Sequence, residues 1–404
     1  MLTGSAKKRL LESFARTTDE IFSLKEFEEL LDSKSKIRIK YGVDVTSPFL
    51  HIGHAVNLWM MRELQDLGHK VLFLIGDFTT QIGDPTGRSN TRPIIPHEEI
   101  EKNAEEFIRQ AKMVLRFDDP DLLEIRRNSE WFSGYRLADF LKLLSMVTHA
   151  RLISRDMFQR RIQNKEDIYL HEMIYPILQG YDSQVLKSDL TIIGSDQLFN
   201  EMLGRFYQQK LGQTPQVIIT TKITQGIDGK AKQSKSLDNY IGLGHSSRDK
   251  FGRCMKVPDN LIVDYLKIYT KVPMMEVAEI EKNLISDPMK WKKFLAEEII
   301  KRYHDEAFAK SEREWFENTF SKKITPGDIP ILELGDPQWL AIDLVNKFFK
   351  ASKSNSEVRR LFQQGAVSIN GEKISAFDST VKLASDDVVK VGKRSWFKVK
   401  ITNS

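Results

Sequence analysis

Residues 37 to 75 carry the pattern that most limits how this chain can fold. Ile37-Arg38-Ile39-Lys40-Tyr41 alternates apolar and polar side chains in the manner of a half-buried strand. A turn rich in Gly, Asp, Ser and Pro follows. Val56, Met60, Leu64 and Leu67 then mark one helical stripe that stops at Gly68, and Lys70 to Ile75 is a second apolar strand. Strand, helix and strand over these connection lengths predict a βαβ unit, with its turn at the carboxyl edge of the first strand, where such sheets take ligands. Leu190 to Ile193, ending at Gly194-Ser195-Asp196-Gln197, and Val217 to Ile219 read as further short strands. The expected fold is α/β, a doubly wound and mostly parallel sheet.

His51-Ile52-Gly53-His54 opens the predicted helix, and Lys232-Gln233-Ser234-Lys235-Ser236 lies far downstream in a stretch that looks like a flexible loop. Each alone is weak, because histidines at a helix start are often caps and a run of lysines is often a solvated surface. In this order they read as two halves of an ATP site. Neutral imidazoles at a helix N-terminus can donate to phosphate or ribose oxygens, and a glycine between them permits close backbone approach. A lysine loop that orders late stabilises charge growing on a departing pyrophosphate.

Between these halves, roughly 97 to 175, charged helical patterns dominate, and they return beyond Ser246 through Leu266, Trp291, Tyr303 and Phe316. Ile324-Thr325-Pro326-Gly327-Asp328-Ile329-Pro330 suits a linker. The expected domains are therefore 1–245, a catalytic domain with a helical insertion; 246–325, a helical domain; 326–338, a linker; and 339–404, a small tail. That tail holds twelve Lys or Arg against six Asp or Glu, which places the whole chain's net +5 there and leaves the body near neutral. With 404 residues, 41% of them apolar, a sizeable core can form. The single cysteine, Cys254, rules out a disulfide within the chain and any cysteine-built zinc site, and the sequence contains no bilayer-spanning apolar run. A cytoplasmic protein without membrane insertion is expected.

Five segments in order resemble the bacterial tyrosyl-tRNA synthetases, a class I aminoacyl-tRNA synthetase family, along nearly the whole chain. They are Tyr41-Gly42-Val43-Asp44-Val45-Thr46 through His54, Ile75-Gly76-Asp77-Phe78-Thr79 through Gly83-Asp84-Pro85-Thr86-Gly87, Tyr175-Pro176-Ile177-Leu178-Gln179-Gly180-Tyr181-Asp182, Gly194-Ser195-Asp196-Gln197 and the lysine loop. The resemblance implies that Thr46 and His51 serve the outgoing pyrophosphate, that His54 lies by the ribose, and that Lys232 and Lys235 close on the phosphates. It further implies that Gly42, Asp44, Gly53, Gly194 and Asp196 line the nucleotide or adenylate. Asp84, Tyr175 and Gln179 would hold the substrate ammonium, Gln197 would neighbour its carboxylate, and Asp182 would face its phenol. A carboxylate buried where only a hydroxyl can pair with it rejects a phenyl ring, which leaves the acceptor unmet. Three positions depart from the pattern. Lys40 stands where many relatives have a second phenol-contacting tyrosine, Ile193 replaces a common glycine, and Gln233 replaces a methionine or phenylalanine.

In the tail, Ser354 through Arg359-Arg360 to Asn370-Gly371 resembles the S-four-type RNA-binding domain, with paired arginines on a helix and an Asn-Gly hairpin signal. Arg359, Arg360, Lys393, Arg394 and Lys398 would then meet RNA phosphates. The reading that follows is a tyrosine:tRNA ligase using ATP with Mg2+, no protein-built metal site, and tRNA, tyrosine and ATP as partners, assembled as a homodimer through the insertion. Two rivals are a divergent paralogue that adenylates another aromatic amino acid and a non-catalytic RNA-binding protein.

Overall fold

Apolar runs build the expected sheet. In the computed structural model, which describes residues 4–84, 95–321, 329–349, 354–392 and 395–402, six strands form it. They are β1 (Thr18–Phe22), β2 (Arg38–Val43), β3 (Lys70–Ile75), β4 (Leu123–Arg127), β5 (Leu190–Gly194) and β6 (Val217–Thr221), in the order β1-β6-β5-β2-β3-β4. All neighbours are parallel except β1, an antiparallel edge on β6. The order reverses between β2 and β5, so the crevice that takes ligands in such sheets opens at the carboxyl ends of those two strands. Strand β4 was not foreseen in a region read as charged and helical. Three of its five residues are charged, which an edge position tolerates because Glu124 pairs with Lys70 at 3.1 Å and Arg126 with Glu130 at 2.7 Å.

Helix α1 (Ile52–Asp66) buries Ile52, Ala55, Val56, Leu58, Met60, Met61 and Leu64, which covers the stripe read from the sequence except its last position. Helix α2 (Leu170–Leu186) carries Tyr175, Gln179 and Asp182 and packs along α3 (Leu198–Lys210), which starts just after β5. Among the described residues from 246 to 316 the α-helices are Ser247–Cys254, Ile262–Tyr269 (α4), Met274–Asn283, Pro288–Tyr303 and Glu306–Phe316. Among the described residues no helix is long and apolar enough to cross a membrane.

The chain divides into two compact units, Met1–Arg313 and Glu314–Ser404. In the second, β7 (Ile331–Leu334) runs parallel to the last strand of a five-stranded sheet. The expected linker 326–338 therefore needs correction. Residues 331–334 belong to the second unit's sheet, because Leu334 is fully buried in its core and Ile331 and Leu332 continue the apolar strand. The unit also contains β8 (Gln338–Leu340), α5 (Ala341–Phe349), α6 (Asn355–Gln363), β9 (Val367–Ile369), β10 (Glu372–Lys373), β11 (Thr380–Lys382), β12 (Val388–Val391) and β13 (Ser395–Ile401). The sheet order is β10-β9-β12-β13-β7, with β8 paired to β11 apart from it. Asn370 and Gly371 join β9 to β10 with φ of 51° and 91°, the two left-handed residues that a tight hairpin requires.

Candidate active site

His51 is the N-cap of α1. Its Nδ1 accepts from the Gly53 backbone N–H at 3.1 Å, and the His54 Nδ1 accepts from the His51 N–H at 3.3 Å. With both Nδ1 atoms accepting, each neutral ring carries its proton on Nε2, leaving one N–H donor per ring for a ligand. The ring centroids are 3.8 Å apart. Burial lowers the His51 imidazole well below its ordinary value, helped by His54, Lys235 and Lys232, and burial with the same two lysines lowers His54 to about 3. Both are neutral at pH 7. Gly53 is required for a nearer reason than the ligand, because a Cβ there would lie 2.9 Å from the His51 ring.

The lysine loop lies across this helix start. Lys232 Nζ pairs with Asp196 at 3.0 Å, and Lys235 Nζ donates to Ser47 Oγ and sits 5.6 Å from the Phe49 ring centre. Burial pushes the Lys235 ammonium down to about 8. Asn239 organises the loop: its Oδ1 accepts from Ser234 N–H at 2.7 Å and its Nδ2 donates to Asp228 at 3.1 Å. The segment after the loop is stitched to the helix start, with Ile52 N–H donating to Ile241 O and Leu243 N–H to Leu50 O, both at 2.9 Å. Thr46 is half-buried on the turn after β2, Gly42 is exposed at that strand's end, and Gly194 ends β5 beside Asp196.

Two polar networks shape the expected amino-acid pocket. In the first, the Tyr175 hydroxyl donates to Asp44 at 2.9 Å, Thr79 Oγ1 donates to Asp44 at 2.8 Å, and Asn128 Nδ2 reaches Thr79 Oγ1 at 3.0 Å and Asp182 at 3.4 Å. Trp131 Nε1 also donates to Asp182 at 3.0 Å. Burial pushes the Asp182 carboxyl up to about 8, against the pull of Lys40 and its two hydrogen-bond donors. In the second, Gln197 Nε2 donates to Asp84 at 2.8 Å, and Asn200 Nδ2 donates to Gln197 at 3.0 Å and to Gln179 at 2.7 Å. Gln179 Nε2 donates to Glu201 at 2.9 Å. Beneath lies the fully buried Lys40, whose Nζ pairs with Glu201 at 2.8 Å and donates to Ser183 at 2.6 Å.

The structure thus brings together Asp44, Tyr175 and Asp182 in one chain of hydrogen bonds and Asp84, Gln179 and Gln197 in another, so Tyr175, which the sequence reading grouped with Asp84 and Gln179, is bonded instead on the Asp44 side. It adds Asn128, Trp131, Asn200 and Glu201, which that reading missed. Asn128 follows the unforeseen β4 directly, and its place at a strand's carboxyl end was the one signal available.

In the second unit, Arg359 and Arg360 are exposed on α6, Arg359 lying 5.1 Å from the Phe377 ring centre, and Ser354 caps that helix reciprocally with Glu357. Lys398 on β13 pairs with Asp386 at 2.7 Å. Lys393 and Arg394 lie outside the described residues.

Comparison with known proteins bears on this geometry. The family model for tRNA synthetases class I (W and Y) matches residues 32–321. The tyrosine--tRNA ligase of Thermotoga maritima is 41% identical over 378 residues, covering 92% of this chain and 93% of that protein. That of Dehalococcoides mccartyi strain 195 is 39% identical over 400 residues, covering 98% and 99%. Among solved structures, the C-terminally truncated mitochondrial tyrosyl-tRNA synthetase of Aspergillus nidulans superposes with a TM-score of 0.64 at 21% identity, covering 77% of this chain and 94% of that one. The tyrosyl-tRNA synthetase of Archaeoglobus fulgidus, solved with L-tyrosine, gives 0.59 at 22% identity, covering 76% and 99%.

Proposed function

The chain belongs to the tRNA synthetases class I (W and Y) and acts as a tyrosine--tRNA ligase, and from that premise we propose which of its residues carry the reaction. The tyrosine carboxylate attacks the α-phosphate of ATP and pyrophosphate leaves. The terminal ribose hydroxyl of tRNA then attacks the carbonyl of the mixed anhydride, releasing AMP. Both steps are displacements in which positioning and electrostatics dominate.

Asp84, Tyr175 and Gln179 take the substrate ammonium, Gln197 lies by its carboxylate, and Asp182 accepts from the phenol. Gly42, Asp44, Gly53, Gly194 and Asp196 line the nucleotide. As pyrophosphate gains charge, Lys232 and Lys235 exchange Asp196 and Ser47 for its oxygens, Thr46 and His51 donate to it, and His54 donates to the ribose. Mg2+ accompanying ATP would be held by the phosphates of the nucleotide and would neutralise part of their charge. The observation that carries this reading is the meeting of two Nε2 donors and two lysines at the start of α1.

Residues 1–245 form the catalytic domain, the rest of the first unit, 246–313, a helical domain on the anticodon side, and the second unit an S-four-type RNA-binding domain. There Arg359, Arg360, Lys393, Arg394 and Lys398 neutralise tRNA phosphates. The chain works in the cytoplasm as a homodimer joined through the insertion, where Leu137, Leu141 and Leu170 are 73%, 55% and 78% exposed. Pyrophosphate exchange with tyrosine, phenylalanine and tryptophan tests the whole. Exchange dependent on tyrosine alone is expected, and equal exchange with phenylalanine overturns the role of Asp182.

A further inference from the structure

We propose that Gln233 is a positioning residue that latches the lysine loop in its closed form before any nucleotide arrives. This rests on the adenylation reading above. Gln233 stands between the two lysines, yet its side chain turns away from them and is 7% exposed. Its Nε2 donates to the Tyr269 hydroxyl at 2.9 Å, and its Oε1 accepts from the Ile241 N–H at 3.4 Å. Tyr269, on α4, is 2% exposed, and its hydroxyl shares a short hydrogen bond with Thr224 Oγ1. Tyr269 accepts from Gln233 and shares a second hydrogen bond with Thr224, so Gln233, Tyr269 and Thr224 form one linked group. Ile241, the other partner, is the residue bonded to the start of α1 through Ile52 N–H.

One side chain therefore ties the loop to the helical domain and to the histidine-bearing helix together. Loop opening must withdraw a primary amide from both partners and leave the Tyr269 hydroxyl with one partner fewer in a buried slot. An apolar side chain in the same place would fill the volume without directing the loop. The latch favours the arrangement that places Lys232 and Lys235 for the transition state, and its loss lowers the closed population without touching the tyrosine pocket.

Gln233→Met, which keeps the length and loses both polar atoms, and Tyr269→Phe are compared with the parent and with the double variant. Trypsin cleavage after Lys230, Lys232 or Lys235, measured without ligands, is expected to quicken about tenfold in each single variant, the scale of one lost buried hydrogen-bonding group. Pre-steady-state adenylate formation is expected to slow by a similar factor, with the tyrosine dissociation constant unchanged. The double variant is expected to match Gln233→Met, because that substitution already removes the link that Tyr269→Phe breaks. Parental cleavage rates, faster cleavage with unchanged adenylation, or losses that multiply in the double variant each overturn the latch. The cleavage arm needs no catalysis, so a parent without tyrosine-dependent exchange would overturn the adenylation roles and leave the loop result to be read by itself.

Discussion

Replacing Lys40 by Met tests whether the polar network around Gln179 and Glu201 is held by a buried ion pair. The Lys40 ammonium and the Glu201 carboxylate are 2.8 Å apart, and each side chain is 2% exposed. Removing one member of such a pair strands the other charge, at about 3–5 kcal/mol. Glu201 keeps amide donors from Gln179 at 2.9 Å and Gln216 at 2.8 Å, which puts the expected loss at the low end. About 3 kcal/mol corresponds to roughly a hundredfold shift of the unfolding equilibrium. Denaturant titration followed by tryptophan fluorescence measures it. Lys102→Met serves as the control, since Lys102 pairs with Glu98 at 2.7 Å with side chains 71% and 81% exposed, a pair worth at most about 0.5 kcal/mol. Adding Glu201→Gln to Lys40→Met removes the stranded charge and is expected to recover part of the loss. Equal small losses in the Lys40 and Lys102 variants would refute the argument.

Three further outcomes follow from the same geometry. Thr46→Ala or His51→Ala is expected to slow adenylate formation by about two orders of magnitude with tyrosine binding nearly unchanged, because the lost donors act on departing pyrophosphate; equilibrium dialysis beside rapid-quench kinetics checks this. Asp182 is raised from 3.8 to about 8, so between those values the folded state keeps a proton that the unfolded chain has released, and stability falls as pH rises through that window. Unfolding midpoints across pH 5 to 8 are therefore expected to slope less steeply downward in Asp182→Asn than in the parent, and identical slopes would contradict the burial. A chain ending at Ser321, which leaves out β7 with the rest of its sheet, is expected to make tyrosyl adenylate but to charge tRNA poorly, and its tRNA affinity should depend less steeply on salt because phosphate contacts are lost. Titrating both forms over a salt series decides it.

What could be read from the sequence follows from how local each signal is. Lys70–Ile75 and Leu190–Gly194 were legible because strands buried on both faces are continuous apolar runs. Leu123–Arg127 and Thr18–Phe22 were not, since edge strands may carry charge and their only strand signal is the neighbour they pair with. The histidine turn and the lysine loop were legible because each packs its chemistry into five residues or fewer. Asn128 and Trp131, at the start of the short helix Ser129–Phe132, and Glu201, on α3, converge on Asp182 and Gln179 only in the folded chain. Gln233 was noticed as a departure, but its partner Tyr269 lies 36 residues away with nothing local to link them. The linker was misjudged at its far end because its prolines and glycine masked the short apolar run beside them.

The chain of hydrogen bonds from Tyr175 through Asp44, Thr79 and Asn128 to Asp182 bears on redesign. An engineer seeking to load a different amino acid would change Asp182 first, since in the proposed reading it accepts from the substrate phenol. That change also takes an acceptor from Asn128, whose amide donates as well to Thr79 Oγ1, the hydroxyl that donates to Asp44. A substitution at 182 therefore leaves the buried Asn128 amide one acceptor short, a cost that varying Asn128 in the same library relieves. Directed evolution of this scaffold should accordingly recover substitutions at positions 128 and 182 in pairs, and rarely at 182 alone.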